Sequence, residues 1–250
     1  MTAFGYRVPQ WVSLLVWAAA WEAAGWTDLT LLLPPLSGVI AKLFEIVPTE
    51  HFADALLLTA RAFAAGTLVA VAVGVPVGMC MGRYETADRL LLPWVNMFVS
   101  APLTALVPVI MALFGFGETT IVLTVVLFAV WIVVLDARAG ARSLPASLEE
   151  MARSYGASVW QAFAKVYVWA ALPEILAGVR LGLLRGVKGV IVGQLLVSVV
   201  GFGHLFEIYQ SNFLMEHMWA LLLVLFALAF AIDGALAALE KRVEYYAAAR

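Results

Sequence analysis

Apolar runs long enough to cross a lipid bilayer recur along this chain, separated by short polar segments. A helix rises ~1.5 Å per residue and the hydrocarbon core is ~30 Å thick, so a span needs ~20 mostly apolar residues. That ruler places spans near 10–27, 54–81, 90–114, 119–138, 175–200 and 217–239. The run from Trp11 to Trp26 is preceded by one clear cation, Arg7, and has no small-residue cleavage pattern, so it is read as a span and not as a signal peptide. Segment 31–50 reads differently. After Pro34-Pro35, residues Leu36, Val39, Ile40, Leu43, Phe44 and Val47 recur at spacings that share one helical face, as in a short helix lying on the outer membrane surface. The stretch 139–174 is polar and too poor in apolar residues to cross. The pattern predicts an all-α integral membrane protein of about six transmembrane helices, one domain over 1–250, with no internal repeat.

Composition agrees. The chain is 64% hydrophobic and 13% charged, against ~25% charged in soluble domains. Half the usual charge cannot build a water-facing surface, so lipid must cover much of it. A net charge of −2 gives no footing for nucleic acid. The one cysteine, Cys80, excludes an internal disulfide and a cysteine-based zinc site, and is read as a packing residue. His51, His204 and His217 lie near span ends without ligand spacing and are read as interfacial, with no metal site.

Lysine and arginine orient the spans. With alternating spans, Arg7, Arg83, Arg89, Arg138, Arg142, Arg153, Lys165, Lys241, Arg242 and Arg250 share one side, whereas the other receives Lys42 with Glu50, Glu118, Glu207 and Glu216. Both termini and the 139–174 loop are therefore expected in the cytoplasm.

That loop carries the strongest local signal. Ser147 followed by Glu150 has the form of a capping box, and Ser158 with Gln161 repeats it. Leu148, Met151, Ala152 and Tyr155 form an apolar stripe, Glu149 and Arg153 pair across one turn, and Gly156 stops the helix. Two short helices with a glycine elbow are expected. They suit either a groove on another protein or a rest on the lipid headgroups.

Here the chain resembles the binding-protein-dependent permease subunits of bacterial ABC importers, in particular the nitrate/sulfonate/taurine group. Those subunits carry Glu-Ala-Ala, three residues, Gly and a later Leu-Pro. This chain has Glu150-Met151-Ala152, Gly156-Ala157 and Leu172-Pro173. Leu32-Leu33-Pro34-Pro35, Gly74 through Gly78, Pro102 through Pro108, Phe114 through Gly117 and Gly201-Phe202-Gly203 follow in family order. Met151 stands in for an alanine, Val168-Trp169 replaces a Leu-Pro, Gln194 stands where glutamate is frequent, and Arg185 and Lys188 stand at usually apolar positions.

The resemblance implies a type I importer permease working as a homodimer. Two cytoplasmic ATP-binding-cassette subunits would dock on Glu150, Met151, Ala152, Tyr155, Gly156 and Ala157 and hold the ATP and Mg²⁺. A periplasmic binding protein would deliver the solute. The chain lacks a Gly-x-x-x-x-Gly-Lys-Ser/Thr motif, so it is expected to bind no cofactor and to be no enzyme. It also implies a place in the bacterial inner membrane, among lipid. Charges at bilayer depth need a partner or water. Arg185 and Lys188 are thus an anion-attracting part of the pathway, with Gln194, Ser198, Ser100, Thr104 and Asn96 as polar lining, or members of an internal ion pair with Asp233, Glu174 or Asp136, or cations that snorkel toward the cytoplasm. Arg61 is expected to pair with Asp54 or Glu22. A secondary, ion-coupled transporter is the rival reading, and it would show repeated halves with broken helices. A membrane enzyme would need clustered ionisable groups, and a scaffold would leave the capped loop unexplained.

Overall fold

The computed structural model describes residues 2–3, 6–7, 10–27, 32–197 and 199–248. A two-residue antiparallel ladder, β1 (Thr2–Ala3) with β2 (Tyr6–Arg7), precedes an all-helical body. The helices are α1 (Gln10–Trp26), α2 (Leu36–Ile46), α3 (Glu50–Arg83), α4 (Glu85–Ser100), α5 (Val107–Phe114), α6 (Glu118–Arg142), α7 (Ala146–Ser154), α8 (Val159–Ala162), α9 (Val168–Ala170), α10 (Leu172–Val197), α11 (Gly201–Ser211) and α12 (Met215–Ala248). A 3₁₀ turn (Leu103–Leu106) leads into α5, and a π turn (Phe163–Tyr167) joins α8 to α9.

Helix α6 is the axis of the bundle, with α3 on one side and α10 on the other. Both neighbours approach through glycine. A Cβ on Gly66 of α3 would lie 2.5 Å from Val125 Cβ, and one on Gly189 of α10 would lie 3.1 Å from Val125 Cα. Val133 is held the same way, 2.9 Å from a Cβ on Gly74 and 2.5 Å from one on Gly182. The register shows α3 running parallel to α6 and α10 running antiparallel. Lipid removes the hydrophobic drive between helices, so small residues that let backbones touch supply the association through dispersion.

Helices α3, α6 and the 215–235 part of α12 are long and apolar enough to span a bilayer. The expected span 54–81 lies inside α3, 119–138 inside α6, and 217–239 inside α12. The expected span 90–114 is corrected: it is α4 and α5, bent by 97°. Pro102 explains the break, because the residue before a proline avoids the helical region, and Ala101 is extended at φ −71°, ψ 148°. The expected span 175–200 starts earlier, at Leu172, and bends by 48° into α11. The first expected span is α1, whose 17 residues stand at the short limit of a crossing helix.

Within the expected segment 31–50, Leu36–Ile46 form α2, and its apolar face is shared. Val39 and Ile46 are buried in a cluster with Ala220, Leu221 and Leu225 of α12, while Ile40, Phe44 and Val47 stay exposed. Glu22 anchors this helix: its carboxylate accepts from Ser37 N at 2.9 Å and Ser37 Oγ at 2.7 Å. Arg61 therefore does not pair with Glu22 or Asp54. Its ion pair is with Glu118, at 3.8 Å.

Tight seams make a clear prediction. Gly66→Ala, which forces Val125 to move, should lower the stability of the detergent-solubilised protein by about 1–3 kcal/mol. Gly234→Ala, where a Cβ meets nothing within 4 Å, should be neutral or slightly stabilising. Equal thermal midpoints for the two variants would contradict the seam.

Candidate functional site

At one end of the bundle the chain leaves α6, runs through α7 to α9, and returns as α10. Helix α7 is not started by the expected Ser147–Glu150 capping box. Pro145 is the N-cap, extended at φ −61°, ψ 137°, and Leu148 N donates to its carbonyl at 3.1 Å. Ser147 already lies inside the first turn, where its hydroxyl makes no cap. The elbow is as expected: Gly156 sits at φ +69°, in the left-handed region that favours glycine. Ala157 N reaches back to Ala152 O at 3.0 Å, closing a Schellman-type end. The second capping box is complete, with Gln161 N donating to Ser158 Oγ at 3.3 Å and Ser158 N to Gln161 Oε1 at 2.9 Å.

Side chains divide this loop into a rooted and a bare face. Ala152 is buried in a cluster with Met79 of α3, Ala137 and Ala141 of α6, and Ala171 and Ile175. Glu149 Oε1 accepts from Arg83 Nη2 of α3 at 2.6 Å and from Arg153 Nη2 at 2.5 Å. The Arg83 guanidinium also lies 5.8 Å from the centroid of the Tyr167 ring. Beside it Asp88 of α4, 7% exposed, is gripped by Arg138 and by Arg142 Nη1 at 3.1 Å. The bare face holds Tyr155 at 86%, and Val159 and Trp160 each at 74% exposure, next to Met151 and Glu150.

The expected apolar stripe is thus split. Ala152 roots the loop and Tyr155 projects from it. The expected Glu149–Arg153 pair forms, whereas the sequence marks neither Val159 and Trp160 as a surface nor Arg83 as its support. A tryptophan two residues after a capping serine in a polar loop is the available signal for Trp160. The Arg83–Glu149 pairing joins residues 66 apart and leaves no local trace.

Of the other expected site residues, Arg185 and Lys188 lie together on an exposed face of α10. Neither forms an ion pair among the described residues. Of the three partners expected for them, Asp233, Glu174 and Asp136, Asp233 stands 3.8 Å from Arg180. Asn96 and Ser100 are exposed one turn apart on α4, and Thr104 is exposed just past the Pro102 break. Gln194 is corrected: it is 1% exposed and donates to Thr59 Oγ1 at 2.7 Å, bracing α10 against α3 where lining was expected. Ser198 lies outside the described residues.

The far end is chemically different. Lys42 Nζ meets Glu45 at 2.7 Å and holds that carboxyl below its usual range. His51, Asp54 and His204 line a cavity of about 210 Å³ between α3 and α11. Among the described residues no group of histidine, cysteine and carboxylates is placed to hold a metal.

Residues 70–245 match the family described as binding-protein-dependent transport system inner membrane component. The taurine transport system permease protein of Escherichia coli is 31% identical over 93% of this chain and 86% of its own length. A putative aliphatic sulfonates transport permease protein of Bacillus subtilis is 30% identical over 75% of this chain and 68% of its own. The fold is similar to a chain of the inward-facing MetNI methionine ABC transporter, with TM-score 0.60, 21% identity and cover of 82% of this chain and 97% of that one.

The two serines separate experimentally. Ser158→Ala removes a working cap worth ~1 kcal/mol and should speed amide exchange over 159–162 about fivefold. Ser147→Ala should leave exchange over 146–154 unchanged. A reversed pattern would restore the first capping box and remove the second.

Proposed function

We propose, for a chain that belongs to the family of binding-protein-dependent transport system inner membrane components, that two copies form one pathway through which a small organic anion is imported. The chain is the membrane permease component of an ABC importer and not an enzyme. A periplasmic binding protein delivers the solute, and two cytoplasmic ATP-binding-cassette subunits drive the cycle. ATP and Mg²⁺ belong to those subunits, and this chain holds no cofactor. The setting is the bacterial inner membrane, with both termini cytoplasmic. The gathering of Arg83, Arg138, Arg142 and Arg153 at the loop end supports that orientation. The name of the aliphatic sulfonates relative supports an anionic solute, and taurine, a zwitterion, shares its sulfonate group.

The observation that carries this reading is the bare face of the 143–171 loop. Tyr155, Val159 and Trp160 expose large apolar surface on a segment rooted by Ala152 and Glu149. Aromatic residues around a glycine elbow fit a cleft on a partner subunit, with Glu150, Met151, Gly156 and Ala157 at its margin. When ATP draws the two cassette subunits together, a loop joined to α3, α6 and α10 passes the motion on as rigid-body rocking. The pathway runs along the uncovered face of α10 and the α4–α5 bend, where Arg185, Lys188, Asn96, Ser100 and Thr104 are exposed. Gln194 supports this wall from behind.

Trp160→Glu with Tyr155→Glu should abolish co-purification of the ATPase subunit with a tagged permease, while expression and detergent elution stay unchanged. Gly156→Val places a β-branched residue in a left-handed conformation, costs at least ~1–2 kcal/mol locally, and should abolish uptake while membrane insertion is kept. Full uptake and a retained ATPase subunit in these variants would sink the docking assignment.

A further inference from the structure

Helix α10 is covered on one side and bare on the other. Gly178, Gly182, Gly186, Gly189 and Gly193 approach α6 and its neighbours. On the adjoining side Leu181, Arg185, Lys188 and Leu196 form one exposed stripe. Arg185 stands at the middle of the 26-residue helix, and Lys188 follows one turn beyond it. The stripe carries no acid, and among the described residues neither cation has an ion-pair partner.

Lipid cannot be what covers this stripe. A charge at bilayer depth costs at least ~2.5–3.5 kcal/mol on insertion scales, so two facing acyl chains cost ~5–7 kcal/mol. The interface is ~15 Å away from mid-depth, further than either side chain extends. The stripe therefore meets water or protein. In the proposed two-copy pathway the stripe faces the two-fold axis, and the second copy then brings the same two cations there. Four like charges without an acid repel, and they cannot close on one another in a dry contact.

We infer that the Arg185–Lys188 stripes of two copies form an anion-selecting constriction, resting on the proposed two-copy pathway. It takes the sulfonate or carboxylate group of the passing solute. The guanidinium fork receives two oxygens side by side and the ammonium supplies a compact charge beside it. A solute that also carries an ammonium group finds no acid on this stripe to receive it, so net-anionic solutes are favoured over zwitterions and cations.

Thiol chemistry tests the site without knowledge of the solute. The exposed Cys80 is replaced by alanine, and Leu181→Cys places a thiol one turn from Arg185 with both cations retained. The assembled transporter in membrane vesicles is treated, with and without ATP, with a methanethiosulfonate bearing either an ethylsulfonate or an ethyltrimethylammonium group. Each rate is normalised to that reagent's rate with a small thiol in solution. The expected anion-to-cation ratio is about tenfold above one, and it falls to about one in the Arg185→Gln, Lys188→Gln double variant. Failure of both reagents in both states places the stripe in lipid or dry protein and overturns the inference. Equal normalised rates before the double substitution leave a wet but unselective wall and overturn it too. Loss of the ATPase subunit from the same wild-type preparation is a separate result, which removes the proposed function itself.

Discussion

Val125 and Val133 of α6 are each wedged between a glycine of α3 and a glycine of α10, and the remaining architecture depends on that packing. With no side chain at Gly66, Gly74, Gly182 and Gly189, three backbones approach within van der Waals reach over several turns. In lipid this is the main attraction available, since apolar side chains gain nothing by leaving acyl chains for each other. The result is a three-helix plate in which no member can rotate without a steric clash. Such a plate moves as a body, which a rocking mechanism requires.

The loop at its end extends the plate in a cheaper currency. Arg83, Arg153 and Glu149 are partly exposed, and pairs of that kind are worth ~0–1 kcal/mol each. They cannot by themselves hold α7. Ala152 does that, buried against α3 and α6, and the ion pairs fix its direction. The Asp88–Arg138 contact is different because both partners are mostly buried. Removing Asp88 would strand Arg138 at a desolvated site, so losing this carboxylate would cost more than losing any pair on the loop.

The same division between covered and bare surface organises function. Glycine turns one side of α10 toward α6, and Arg185 and Lys188 stand on the adjoining strip that its neighbours leave uncovered. Tight packing and the exposed cations thus occupy adjoining strips of one helix. At the loop Ala152 is buried, while Tyr155 at the helix end and Trp160 past the elbow project.

Periodicity and charge bias were local properties, and they were legible from the chain alone: the membrane spans, the glycine elbow at Gly156, the Ser158–Gln161 cap and the family. What required tertiary structure was every feature set by a distant partner. Ser147 looked like a cap because its spacing to Glu150 is right, yet Pro145 had already taken that position. The bend after Ser100 was written in Pro102, but its angle of 97° depends on what α5 packs against. Gln194 looked like lining because it is polar, and only the nearby Thr59 on α3 shows why it is buried. Arg180, and neither Arg185 nor Lys188, received Asp233 because side-chain reach is decided in space. A one-dimensional pattern specifies which residues share a helix face; which face is covered depends on neighbours that the pattern does not contain.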